Sequence, residues 1–186
     1  MSGPTSEYPA IALIELASIA RGIAVCDVLI KKAAIRLVQS TTTHPGKYMI
    51  LFRGGVGEVE ASLKAGLAAS GDALIDHLLL PNPHPQLEQV LKGPRIVELE
   101  SLGILESFSI AGTIRAADAA LKTAEIEARQ IRLADHIGGK GYFVFSGLLH
   151  DVEAAMDAAV DALGPGLLAG LEIVANPHPD LVMALS

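Results

Sequence analysis

The chain has 186 residues and a formal charge of −7, and it is 51% hydrophobic but only 4% aromatic, with one cysteine and no tryptophan. Its Lys and Arg residues are scattered rather than clustered, so there is no basic footprint for nucleic acid. No uncharged apolar run nears the roughly 20 residues of a membrane span, no signal peptide is evident, and one cysteine cannot close an internal disulfide, which together predict a cytoplasmic protein.

AIALIELAS, from Ala10, is a short apolar run suited to a buried strand. ARGIAVCDVLIKKAA carries apolar residues at helical spacing, with Asp27 four before Lys31 as a supporting pair. IRLVQST and KYMILFRG read as strands joined by TTTHPG, whose Pro-Gly marks a turn. VGEVEASLKAGLAASG is an Ala-rich helix that stops at Gly71, and ALIDHLLL is the last strand. A tail helix follows in HPQLEQVL, with Pro85 in the first turn, where its missing N–H costs little.

The order then repeats. NPHPQL at 82 returns as NPHPDL at 176, and laying Glu15 over Glu106 aligns the first helices without a gap. Eight of the nineteen positions from Glu15 and Glu106 onward are identical, among them Asp27/Asp118 and Lys31/Lys122, where unrelated sequence gives roughly one or two. The chain is therefore a tandem duplication, residues 10–92 and 101–186. Each copy predicts a βαββαβ domain of α+β, ferredoxin-like class, an antiparallel sheet with both helices on one face. A fold of this kind hosts many functions, so function has to come from particular residues.

Five features recur in order in both copies: a Glu ending the first strand, a helix reading D-x-x-x-K-x-A, a loop ending in Gly-Lys, a turn into an Ala-rich helix (R-G-x-V-G-x-V in the first copy), and a closing P-H-x-x-L. This set resembles the shell proteins of bacterial microcompartments, in the tandem-domain, trimer-forming class and its non-permuted subgroup, that of propanediol utilisation. The resemblance implies a homotrimer forming a flat pseudohexagonal tile. Such a tile lies edge to edge with other shell proteins and has a central pore for small metabolites, lined by the loops between the second and third strands. On this chain those loops hold Thr43, His44, Pro45 and Gly46 in one copy and Asp135, His136, Ile137, Gly138 and Gly139 in the other. Lys31 and Lys122 match the edge lysine, and Asn82, Asn176, His84 and His178 fall in the rim and tail segments; Asn stands where many relatives carry Arg.

Relatives in that subgroup carry a cysteine beside the Pro-Gly, and three such thiolates hold an iron–sulfur cluster on the axis. Here the position is His44, so no cluster is expected and the protein should be colourless. Three His44 imidazoles on a threefold axis offer a divalent-metal site. The plainer reading, a polar hydrated hole without a resident cofactor, is preferred.

Catalytic patterns fail on inspection. RGGVGEVE lacks the spacing of a phosphate loop, and Gly46-Lys47 and Gly139-Lys140 lack its upstream glycine. His150-Asp151 faces Gly57-Glu58 in the other copy, which marks only an acidic helix start. Cys26, at an apolar helical position, reads as a buried thiol. No nucleophile meets a base, and the chain is read as a non-enzyme. A small-molecule-binding or sensory trimer that does not tile is the alternative.

Overall fold

The computed structural model describes residues 9–96, 100–134, 136–178 and 180–181. Its strands and helices follow the order read from the sequence, except that the second tail helix expected after NPHPDL falls mostly outside the described residues. The first domain runs β1 (Ala10–Leu16), α1 (Ile19–Lys32), β2 (Arg36–Thr43), β3 (Lys47–Gly54), α2 (Val56–Ser70), a 3₁₀ turn at Gly71–Ala73 and β4 (Leu74–Pro81), followed by α3 (Pro85–Val90). The second runs β5 (Ser101–Ser107), α4 (Ile110–Thr123), β6 (Glu127–Leu133), β7 (Gly141–Gly147), α5 (Leu149–Leu163) and β8 (Leu168–Val174).

Local chemistry sets several of these boundaries. Ser18 and Ser109 cap α1 and α4, their hydroxyls accepting from the N–H groups of Arg21 and Gly112 at 3.2 and 2.9 Å. Gly71, at φ 53°, ends α2 in a conformation that a side chain would strain. Each domain is a four-stranded antiparallel sheet, in the orders β2-β3-β1-β4 and β6-β7-β5-β8. The irregularities are duplicated too. The central strand slips register after Glu15 in one sheet and after Glu106 in the other, and the outer strand slips at Leu37/Gln39 and Ala128/Gln130.

The helix-facing side of the first sheet is Ala10, Ala12, Ile14 and Leu16 of β1 with Tyr48, Ile50 and Phe52 of β3, packed against Val25, Leu29, Val59 and Leu63. Small residues let the helices come close. A side chain at Gly66 of α2 would collide with Ile14 and Leu29, and one at Gly22 of α1 with the Tyr48 ring. The second core holds the same space with different volumes. Gly103 replaces Ala12 and lies under Phe145, which stacks with Phe143 at a centroid distance of 5.1 Å. Large residues on one strand thus offset small ones on its neighbour, as close packing requires.

The structure divides into two compact units, residues 1–83 and 84–186. Sequence and structure therefore part company over α3. By repeat it closes the first copy, yet it packs on α4 and β6 of the second unit, burying Leu87 and Val90.

Candidate pore loops and tail turns

In the first unit β2 runs on to Thr43, so the turn to β3 is tighter than the sequence pattern implies. The Gly46 N–H bonds the Thr43 carbonyl at 2.9 Å, with Gly46 at φ 95°. His44, Pro45 and Gly46 are exposed, whereas Thr43 is buried and its hydroxyl has no partner among the described residues. The base of the turn is held by charge. The Lys47 ammonium reaches the fully buried carboxylate of Glu15 at 2.8 Å. A buried carboxylate needs such a partner, and this one joins the end of the central strand to the foot of the loop.

In the second unit Lys140 and Glu106 form the same pair at 2.5 Å, more open to solvent. Its loop is longer. Ala134, His136, Gly138 and Gly139 all take positive φ, and the Ala134 N–H bonds the Lys140 carbonyl at 2.9 Å. His136 and Gly138 are exposed, Ile137 half-buried and Gly139 buried; Asp135 lies outside the described residues.

Lys31 pairs with Asp27 on α1 and Lys122 with Asp118 on α4, each at 2.6 Å. Both pairs sit four residues apart, as the helical spacing predicts. Asp118 does more than this. Its second oxygen accepts the backbone N–H of His84 at 2.7 Å, anchoring the start of α3. The His84 Nδ1 in turn accepts the Gln86 N–H, capping the helix. Burial pushes the His84 imidazole below its usual 6.5, with Asp118 opposing and Lys122 reinforcing the shift. The neutral ring is the form that can cap.

Gln86 completes the seat. Its amide donates to the Ile126 carbonyl at 3.1 Å and its oxygen accepts from the Ala128 N–H and the Arg95 guanidinium, both at 2.8 Å. Arg95 also reaches Glu127 at 3.3 Å. Sequence reading singled out Lys122 and His84 but missed the joint roles of Asp118, Gln86 and Arg95. One available signal was that the acid before the lysine is Asp in both copies.

The second tail repeats the local turn. Asn82 and Asn176 take φ of 52° and 50°, and the His178 Nδ1 accepts the Asp180 N–H at 3.2 Å, as His84 does from Gln86. His178 and Asp180 are exposed.

Other candidates stay apart from these groups. Cys26 is buried and its sulfur accepts from the Ser40 hydroxyl at 3.4 Å. His150 and Asp151 form a neighbouring pair at the start of α5. Among the described residues, no three His, Cys, Asp or Glu side chains of the single chain cluster as a metal site. Among the described residues, no helix is long and apolar enough to cross a membrane.

Residues 10–83 and 101–177 each match the BMC domain. The chain belongs to the BMC domain family. It is 36% identical to the bacterial microcompartment shell protein PduT of Citrobacter freundii, over 92% of this chain and 95% of that protein. The carboxysome assembly protein CcmO of Synechococcus elongatus is 25% identical, over 86% of this chain and 62% of its own length. Among solved structures, a microcompartment protein from Desulfitobacterium hafniense superposes with a TM-score of 0.82 at 36% identity, over 92% of this chain and 97% of that one. A fused permuted hexameric shell protein of the RMM microcompartment gives 0.63 at 25% identity, over 82% and 80%. In this BMC protein both domains open on the Glu-bearing strand, the non-permuted order expected from the sequence.

Proposed function

We propose that this BMC protein is a structural shell protein of a bacterial microcompartment, and that three copies close into one pseudohexagonal tile. The observation that carries the reading is the duplication: two domains with the same strand order and the same register slips give one chain two sixths of a six-fold ring. The likeness to PduT along nearly the whole of both chains supports the shell role.

In this tile the turns with His44 and His136 face the axis, and the Glu15–Lys47 and Glu106–Lys140 pairs hold their bases. The loops form a polar pore for small metabolites, with no resident cofactor. Lys31 and Lys122 point to the neighbouring tile, where exposed ammonium groups meet polar acceptors. Overexpressed protein should form regular sheets or tubes in the electron microscope and trimers in dilute solution. Trimers that never tile would favour the binding or sensory module instead. Elemental analysis checks the pore: about one metal per three chains, lost on His44→Ala, would replace the metal-free hole with a three-imidazole site.

A further inference from the structure

The two domains differ most in what lies over their first helix. Ile114 and Leu121 on α4 are 0% and 4% exposed, and Asp118 is buried beneath α3. Their counterparts on α1, Ile23 and Ile30, are 58% and 50% exposed, and Asp27 stands open beside Lys31. The tails differ in the opposite sense. Leu87 is fully buried in its seat, whereas Leu181, one sequence repeat later, is 37% exposed. Within a single chain, then, one tail is seated, the other tail is unseated, and one seat is uncovered.

We propose that α1 and the start of β2 form a socket for the tail carrying His178, Asp180 and Leu181 of a second copy of this chain. The seated tail supplies the template. The incoming His178 N–H meets Asp27 as that of His84 meets Asp118, and Asp27 keeps Lys31 as Asp118 keeps Lys122. Leu181 lies over Ile30 and Ile35 as Leu87 lies over the α4–β6 seat. The turn is already formed: the Leu181 N–H bonds the His178 carbonyl at 2.9 Å, the distance of the matching Leu87 bond. Little ordering remains to be done on docking.

The changes between the copies fit this pairing. In the seated tail a neutral Gln86 sits beside Glu127, and Arg95 bridges the two. In the open pair Gln86 becomes Asp180 and Glu127 becomes Arg36, so the two new residues carry opposite charges and need no third group. A socket made for a repulsive or unrelated partner would not show this exchange. Plug and socket are different surfaces of one chain, so the contact is head-to-tail, and such contacts close into rings when the rotation permits. The inference deepens the proposed tile and rests on that reading for the number of copies.

Native mass measurement of the full chain with its variants tests it. Asp180→Arg and Arg36→Glu should each weaken self-association about tenfold or more, Leu181→Asp at least as much, and the double exchange Asp180→Arg/Arg36→Glu should recover most of the loss. Thermal unfolding of the dissociated variants should match that of the dissociated parent, since all three residues are exposed. If Arg36→Glu lowers that stability, the two tail variants carry the test. Trimers undisturbed by both tail variants would overturn the socket while leaving the shell tile intact. A parent chain that remains monomeric at all concentrations would overturn both.

Discussion

α1 and α4 come from one ancestral sequence, both N-capped by Ser and both carrying an Asp–Lys pair one turn before their end, yet α4 buries ten residues along its length and α1 four. Their difference teaches that burial of an amphipathic helix is a property of its cover as much as of its own pattern. The tail turn is a separable element: seated on one domain and exposed after the other, it keeps the same hydrogen bonds in both settings. Its geometry is local, and its energy comes from the seat.

If that account is right, matched substitutions in the two halves should have unequal effects on the dissociated chain. Leu87→Ala removes a fully buried side chain and should cost about 2–5 kcal/mol in chemical denaturation, whereas Leu181→Ala should stay within about 0.5. Equal losses would break the comparison at once.

The Lys–Glu pairs at the β2–β3 and β6–β7 loops offer a second contrast. Glu15→Gln strips Lys47 of a partner that is wholly buried, with an expected cost of about 3 kcal/mol, while Glu106→Gln, at a half-exposed pair, should cost no more than about 1. A larger effect at Glu106 would mean that exposure does not govern these pairs. Asp118→Asn weakens the anchor of α3 and should cost about 1–2 kcal/mol, against less than about 0.5 for Asp27→Asn. In the assembled protein the second value should rise toward the first, which sharpens the socket assignment.

The smallest effect concerns pH. His84 is held below its usual 6.5 by burial, so the folded state prefers the neutral ring more than the unfolded chain does. The stability of the α3 seat is therefore complete above about pH 6.5 and falls as acid drives the pH through the lowered pKa. Asp118 and Lys122 face the ring with opposite influence, which keeps the change modest. Thermal midpoints at pH 7.5 and 5.5 should differ less in His84→Asn, where the cap has no titrating group.

The sequence by itself determined the duplication, the order of the strands and helices, the turn positions and the identity of the repeated Glu, Asp, Lys and Pro-His residues. These are matters of spacing and composition over a few turns of chain, where apolar period, caps and Gly or Pro act directly. The second strand was read two residues short at the β2–β3 turn, because a Thr run carries no apolar alternation to mark its end. Tertiary structure alone decided that the first tail sits on the second domain, that Asp118 serves a backbone N–H as well as Lys122, and that Glu15 is buried where Glu106 is not. The contacts responsible join residues far apart in the chain, 34 positions between His84 and Asp118 and 42 between Gln86 and Ala128. Periodicity says which face of a helix is apolar, but which of two nearly identical faces gains a cover depends on where the connecting chain leads, and that is settled only when the fold closes.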